Sequence, residues 1–342
     1  MLGATGSIGR QALEVVAAHP DRLSVTHQGH RGDDLMAIAT AQDVDLVLVA
    51  TPGIAGLEPT LAALKAGKRV ALANKEVLVV GGHLVRDLVG GAGERLRPVD
   101  SEHAAIWQCL EGARLGDVVR VTLTASGGPF RDTPLGELDA VTPERALNHP
   151  TWKMGPKVTI DSATLVNKAY EIIETRWLYG LPYDRIDVVL HPESVVHALV
   201  ELTDGSVMAQ LAEPDMRLPI QYALLWERAP SPARRLDLAL PVDIRFRGAP
   251  DPARYPAFAL VLETARADDP RAMIGVSAAD EIAVDRFLRG ELPFTAIAGL
   301  IERGAEIARG GPKQGPPSLE EIRTIDRAVR LALDETPAGI PA

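Results

Sequence analysis

The chain has 342 residues, enough for two or three domains, and 46% of them are hydrophobic, enough for a sizeable core. A net charge of −10 argues against nucleic acid and an anionic membrane as the main partner, but not against a small anion met by local cations or a metal. Cys109 is the only cysteine, so neither an intrachain disulfide nor a thiolate metal cluster is available, as suits a reducing cytoplasm.

The opening MLGATGSIGR lacks the basic and apolar regions of a signal peptide, and the longest apolar runs, such as LVLVA at 46–50, are strand-length. The chain therefore reads as cytoplasmic, with no membrane partner. Over 1–99, helix and short strand alternate: helix RQALEVVAAH (10–19), strand LSVTH (23–27), helix DDLMAIATA (33–41), strand VDLVLVA (44–50), helix LEPTLAALKAG (57–67), strand KRVALA (68–73), then another helix. This alternation predicts βα units on a parallel sheet, and uniformly apolar strands suit a sheet covered on both faces.

From 100 to 230 the style becomes α+β. VVRVTLTAS (118–126), PKVTIDSA (156–163) and RIDVVLHPES (185–194) read as strands, and VHALVEL–TDG–SVMAQLA (196–212) reads as a hairpin turning at Asp204-Gly205. Residues 231–254, rich in Pro, Arg and Asp, read as a linker. AFALVLETARA (257–267), SAADEIAVDRFLRG (277–290), PFTAIAGLIERGAEIA (293–308) and SLEEIRTIDRAVRLALDE (318–335) have helical periodicity. Ser318 and Glu321 form a capping box, and GGPKQGPP (310–317) separates the last helix.

Gly3, Gly6 and Gly9 open the first helix as G-x-x-G-x-x-G, a spacing that lets backbone N–H groups approach a pyrophosphate. A plain glycine-rich turn has the same look. The strand that normally precedes such a turn is reduced to Met1 and Leu2, so either the true start lies upstream or the first strand is missing. Gly29-His30-Arg31, after the second strand, offers cations for a 2′-phosphate, or is an exposed polar loop.

Asp100 and Glu102, in PVDSEHAAIW (98–107), close a strand-like run. Two apart on an extended backbone, they aim both carboxylates into one space, where they repel unless a cation joins them. A helix N-terminus also favours acids. In TIDSATLVNKAYEIIETRW (159–177), Ser162 or Thr164 caps a helix whose core face is Leu165, Val166, Ala169, Ile172, Ile173 and Trp177. Asn167, Lys168 and Glu171 project from neighbouring surface, as a solvated, salt-bridged face would too.

Taken in order, G-A-T-G-S-I-G (3–9), A-N-K-E (73–76), V-D-S-E-H (99–103), T-A-S-G-G-P-F (124–130), H-P-T-W-K-M-G (149–155), D-S-A-T-L-V-N-K-A-Y-E (161–171) and P-D-M-R-L-P-I (214–220) resemble the 1-deoxy-D-xylulose 5-phosphate reductoisomerase family. Its members are NADPH-dependent enzymes that make 2-C-methyl-D-erythritol 4-phosphate in the non-mevalonate isoprenoid pathway. The likeness runs from Gly3 to the C-terminal helices.

The resemblance implies an α/β chain with a Rossmann-like, abridged NADPH-binding domain at 1–99 and a central α+β catalytic and dimerisation domain at 100–230. The linker at 231–254 and a C-terminal helical domain at 255–342 follow, and a homodimer forms through the central sheet. It implies Asp100, Glu102 and Glu171 as metal ligands, and three hard carboxylates suit Mg2+ or Mn2+. It places Lys75, Ser101, Glu102, Ser126, His149, Ser162, Asn167, Lys168 and Glu171 around a sugar-phosphate substrate. Among these Lys75, Glu102, His149 and Lys168 are catalytic, with Trp152 on a flap that closes over the site. Thr5, Gly6, Ser7, Ile8, Asn74, Glu76 and Gly155 fall on the NADPH side.

The chain departs from the family pattern in its cofactor half. Between the first helix and the D-L-V-L-V-A strand it has roughly 30–40 residues fewer, about one βα unit plus a strand. Ser277-Ala278-Ala279-Asp280-Glu281 stands where the family carries N-A-A-N-E. These departures leave a second reading: a cofactor-poor paralogue or truncated product that binds metal and sugar phosphate without completing the reduction.

Overall fold

The structure is a computed structural model describing residues 1–240, 242–310 and 315–334. In chain order the elements are α1 (Ser7–Ala18), α2 (Leu35–Thr40), β1 (Leu46–Val49), α3 (Leu57–Lys65), β2 (Arg69–Leu72), α4 (Glu76–Val89), β3 (Leu96–Pro98), α5 (Ser101–Cys109) and β4 (Val118–Ala125). There follow α6 (Pro143–Leu147), α7 (Pro156–Thr164), α8 (Val166–Tyr179), β5 (Ile186–Leu190), β6 (Val196–Leu202), β7 (Val207–Leu211) and α9 (Arg217–Leu225). The last are α10 (Pro256–Arg266), α11 (Pro270–Leu288), α12 (Ile297–Arg309) and α13 (Leu319–Asp334). By its internal contacts the chain divides into two units: Met1–Leu78, Gly82–Ser126 and Glu174–Ala249 form one, and Val79–Gly81, Gly127–Ile173 and the chain from Pro250 onward form the other.

The first unit holds both sheets. β1, β2 and β3 lie side by side in parallel, with Leu46 opposite Arg69 and Val70 opposite Leu96, as the alternation of helix and apolar strand predicts. Leu2 extends this sheet by single parallel bridges to Val49 on one side and Gly29 on the other. The strand expected over 23–27 does not form. The sheet neighbour beside this segment is Met1–Leu2, so the pairing is confined to Gly29 N–H on Met1 O (2.8 Å), Gly3 N–H on Gly29 O (2.9 Å) and the Met1 amino group on His27 O (2.8 Å). Ala12 and Val15 of α1 and Ile220, Ala223 and Leu224 of α9 bury one core against Leu48, Ala71 and Val99.

Gly9 makes the first turn possible. A Cβ there would meet Gly3 O at 2.4 Å and Ala4 O at 2.5 Å, so only glycine lets α1 lie against the preceding loop. Gly3 itself has φ +84°.

The second sheet has the order β5-β4-β6-β7, with β4 and β5 parallel and the other pairs antiparallel. The hairpin between β6 and β7 turns where expected, with Gly205 at φ +85° and Asp204 Oδ1 accepting from Ser206 N–H at 2.8 Å. Beyond α9, residues 231–240 and 242–249 have no regular secondary structure, and Leu190 exchanges backbone bonds with Arg247 and Gly248.

The second unit is helical. PKVTIDSA, expected as a strand, is α7. Its β-branched residues read as strand, yet Gly155 and Pro156 set a helix start, and Gly155 O accepts from both Thr159 N–H (3.1 Å) and Thr159 Oγ1–H (2.9 Å). α11 and α12 cross backbone to backbone, because a Cβ on Gly275 would lie 2.2 Å from Gly304 O. The capping box holds: Ser318 N–H donates to Glu321 Oε2 at 2.8 Å and Glu321 N–H to Ser318 Oγ at 3.3 Å. Residues 311–314 of the predicted Gly/Pro separator and residue 335 of the last predicted helix lie outside the described residues.

Candidate functional site

In the first unit the charged side chains gather where β3 ends. The chain leaves Pro98, and Asp100 caps α5, its Oδ1 accepting from Glu102 N–H at 3.1 Å. Only Asp100 is therefore extended, while Glu102 already belongs to the helix. The shared-face argument for an extended D-S-E fails, but carboxylate oxygens of the two residues still lie within 4.8 Å of each other. Ser101 Oγ–H donates to Glu102 Oε2 at 2.5 Å.

Asp100 is the hub of a buried network. Lys75 Nζ donates to its Oδ2, and His103 Nδ1 lies 3.0 Å from its Oδ1. His103 Nε2 reaches Thr175 Oγ1 at 3.1 Å, and Glu174 Oε2 lies 3.5 Å from Lys75 Nζ and 3.8 Å from His103 Nδ1. Burial pushes the Asp100 carboxyl up, but Lys75 and His103 outweigh it and hold the group well below the usual carboxylate range. Burial alone would lower His103, yet Glu174 and Asp100 raise it to about 9. Burial raises Glu174, whose Oε2 is fully enclosed and makes no hydrogen bond. Asp100, His103 and Glu174 present ligand-type atoms within 4.8 Å of one another.

On the same unit, Asn74 is committed structurally. Its Nδ2 donates to Thr51 O and to Gly53 O (2.8 Å), and its Oδ1 accepts from Val77 N–H at 2.9 Å. It thereby pins the turn after β1 to the start of α4, where Glu76 is buried. Thr5, Gly6, Ser7 and Ile8 form the turn into α1, which Gly6 caps without a side chain. Ser126 closes this stretch of the unit.

The second unit gathers the remaining predicted residues. Leu165, at φ 58°, breaks α7 from α8. Thr164 Oγ1 accepts from Val166 N–H at 3.4 Å, so of the two expected caps Thr164 is the one used. On α8, Asn167 Nδ2–H donates to Glu171 Oε1 at 2.5 Å and Lys168 Nζ to Glu171 Oε2, with Lys168 and Glu171 both buried. The solvated-face alternative is thereby excluded for Lys168 and Glu171. Gly127 and Gly128 both have positive φ, and a Cβ on Gly128 would lie 2.7 Å from Ser162 O.

His149 has a fixed tautomer. Its Nδ1 accepts from Thr151 N–H (3.2 Å) and Trp152 N–H (2.9 Å), so its proton sits on Nε2, 3.1 Å from Ser162 Oγ. Burial, with Arg131 adding to it, lowers its pKa to about 4, which keeps the ring neutral at ordinary pH. Trp152 is half-buried in the irregular stretch 148–155 that runs from α6 to Gly155, the N-cap of α7.

Sequence reasoning missed His103, Glu174 and Thr175. His103 stood inside the V-D-S-E-H stretch without a role, and Glu174 lies one turn beyond Glu171 on the same unbroken helix. It also missed a cluster of four, in which Lys157 Nζ donates to Asp161 Oδ2 (2.5 Å) and Asp280 Oδ2 (2.7 Å) while Tyr170 O–H donates to Asp280 Oδ2 (3.1 Å). Asp280, where the family carries Asn, is buried and thus has the half-buried Lys157 as counter-charge.

A parallel sheet with a glycine-lined turn into its first helix, joined in one chain to carboxylates neutralised by lysines, defines a two-part α/β enzyme of the oxidoreductase type. The comparisons make this particular. Family models described as the 1-deoxy-D-xylulose 5-phosphate reductoisomerase C-terminal domain, the DXP reductoisomerase C-terminal domain and 1-deoxy-D-xylulose 5-phosphate reductoisomerase match residues 96–179, 211–332, and 1–31 with 27–82. The enzyme of that name from Thermomicrobium roseum is 47% identical over 374 positions, covering 98% of this chain and 96% of the relative. That from Geobacter metallireducens is 46% identical over 349 positions, covering 89% and 90%. Among solved structures, a DOX-P reductoisomerase in complex with NADPH, fosmidomycin and magnesium superposes with a TM-score of 0.89 at 35% identity, covering 97% of this chain and 96% of that one. The Zymomonas mobilis enzyme in complex with NADPH gives 0.86 at 38% identity, covering 98% of each. The chain belongs to the 1-deoxy-D-xylulose 5-phosphate reductoisomerase family.

The comparisons also locate the abridgement. The T. roseum alignment has 374 positions while 98% of 342 residues enter it, so a few dozen positions of that relative have no counterpart here. The family model meets the N-terminal half in two overlapping stretches, 1–31 and 27–82, which puts the missing span between α1 and α2.

Proposed function

We propose that the chain converts 1-deoxy-D-xylulose 5-phosphate to 2-C-methyl-D-erythritol 4-phosphate, using NADPH and a divalent cation. The observation that carries this reading is the pairing of Asp100 with Lys75 and of Glu171 with Lys168 on the V-D-S-E-H and N-K-A-Y-E stretches, in a chain whose relatives bear that enzyme's name.

Asp100, Glu102 and Glu171 would hold the cation. They are hard oxygen donors with no cysteine among them, and Asp100 and Glu102 already present oxygens to one space, which fits Mg2+ or Mn2+. Bound there, the ion supplies Lewis acidity for the substrate carbonyl whose neighbouring carbon–carbon bond is broken and remade. The glycine turn fits NADPH: Gly3 and Gly9 let the turn pack closely on the chain's own backbone at the start of α1, and Gly6 leaves the first amides of that helix without a side-chain cap. NADPH supplies the hydride. Gly29 bonds directly to Gly3, which supports His30 and Arg31 as readers of the 2′-phosphate in place of the abridged span.

The chain's own residues do the rest. His149 donates its Nε2–H to Ser162 Oγ, which leaves the Ser162 hydroxyl hydrogen to donate to the substrate phosphate. Asn167 and Lys168 add donors to that phosphate while steadying Glu171. Lys75 and Ser101 reach the substrate beside Asp100 and Glu102, and Ser126 reaches it from the S-G-G turn. Trp152 closes over the site and excludes water, which strengthens the charges beneath it. Asn74, Glu76 and Gly155 shape the cofactor side.

The reading of a homodimer through the second sheet is supported by β7. This edge strand exposes Val207 (55%) and Met208 (46%), apolar residues that an uncovered edge ordinarily avoids. Among the described residues no helix is long and apolar enough to cross a membrane.

The shortened N-terminal half makes cofactor binding the first test. NADPH titrated against the protein's tryptophan fluorescence should saturate in roughly the micromolar range, and Gly9→Ala should abolish saturation. A wild-type chain that ignores NADPH yet binds the sugar phosphate would be the cofactor-poor protein instead.

A further inference from the structure

Lys75 and a divalent cation at the candidate site need the same carboxylate. Lys75 Nζ donates to Asp100 Oδ2, and both side chains are only 13% exposed, so little water is available to screen two positive charges on one carboxylate. A second acceptor waits beside it. Glu174 Oε2 lies 3.5 Å from Lys75 Nζ, is fully enclosed, and makes no hydrogen bond, although the Glu174 side chain is 4% exposed. A buried carboxylate oxygen without a hydrogen bond is costly unless it serves a second arrangement of the network.

We propose that Lys75 competes with the divalent cation for Asp100, and that Glu174 is a positioning residue that takes over the Lys75 ammonium when the cation enters. This rests on the metal-site reading above and adds an occupant and an exchange to it. His103 stays in place during the exchange. Its Nε2 is tied to Thr175 Oγ1 and its Nδ1 to Asp100 Oδ1, while Lys75 Nζ bonds Asp100 Oδ2. Lys75 sits at the N-terminal end of α4, in a stretch fixed by Asn74, so its backbone need not move. Only the end of a flexible side chain changes partner, from Asp100 to Glu174.

The test is Mn2+ titration of the substrate-free protein, followed by the electron paramagnetic resonance signal of the free ion. Lys75→Gln should bind Mn2+ about tenfold or more tightly than the wild type, because the competing charge is gone. Lys75→Arg, which keeps the charge, should stay near wild type. Glu174→Gln should weaken Mn2+ binding in the wild-type background and do so much less in the Lys75→Gln background, since it acts through Lys75. Circular dichroism confirms that each variant is folded. A folded Lys75→Gln protein with unchanged or weaker Mn2+ affinity would overturn the competition. Equal weakening by Glu174→Gln in both backgrounds would make Glu174 act on the ion directly and overturn its positioning role. A wild-type protein that binds no Mn2+ would defeat the metal site itself, and this inference with it.

Discussion

Glu171→Gln should lower metal-dependent turnover at least about a hundredfold, since even groups that only support metal ligands cost 10–100-fold when lost. Glu171 is 1% exposed, with one oxygen taking Asn167 at 2.5 Å and the other taking Lys168. Glutamine preserves volume and one acceptor. Its amide nitrogen, however, would face the Lys168 ammonium donor to donor, leaving a buried charge without this partner. The variant should therefore also lose stability, by roughly 1–3 kcal/mol for a buried polar group left unsatisfied, which a typical domain survives. The two effects separate by measurement: Mn2+ affinity and turnover fall steeply at a temperature where circular dichroism still reports the native fold. Full turnover at saturating Mg2+ would remove Glu171 from the ligands.

Asn167→Ala should raise KM about tenfold or more, the effect of losing a hydrogen bond to a charged phosphate. The family resemblance alone assigns this residue to substrate binding. The structure adds a second duty, because the same amide donates to Glu171 Oε1. The expectation is thus a rise in KM together with a fall in kcat and in Mn2+ affinity, rather than a change in KM alone. A normal KM would count against Asn167 at the phosphate. A raised KM with unchanged Mn2+ affinity would show that its bond to Glu171 is dispensable.

The sequence shows the parallel sheet, the hairpin, the C-terminal helices and the capping box because each has a local signature. Apolar tetrapeptides such as LVLV mark buried parallel strands, and Ser318 with Glu321 marks a helix start. Two local readings fail for physical reasons. Val158, Thr159 and Ile160 carry strand propensity, but Gly155, Pro156 and the Thr159 bonds to Gly155 O impose a helix. Residues 23–27 have the composition of a strand and almost no neighbour to pair with.

At the candidate site, the residue types were legible and their partnerships were not. D-S-E and N-K-A-Y-E mark acids near cations, while nothing local shows that Lys75 answers Asp100 across 25 positions or that Lys157 answers Asp280 across 123. Ion pairs distant in sequence form only once the elements are packed. The Asp100 cap has a comparable history: a helix start and a metal ligand ask for the same residue type, so the two readings coexist at one carboxylate.

The most direct test of the central claim, that this chain's carboxylates hold a cation for an NADPH-dependent rearrangement, is turnover with product identification. Purified protein is mixed with 1-deoxy-D-xylulose 5-phosphate, NADPH and Mg2+, and both the loss of reduced nicotinamide absorbance and the sugar product are followed. The expected result is stoichiometric formation of 2-C-methyl-D-erythritol 4-phosphate, halted by a chelator and restored by Mg2+ or Mn2+. No NADPH oxidation with substrate and metal bound, or oxidation that a chelator leaves untouched, would contradict it.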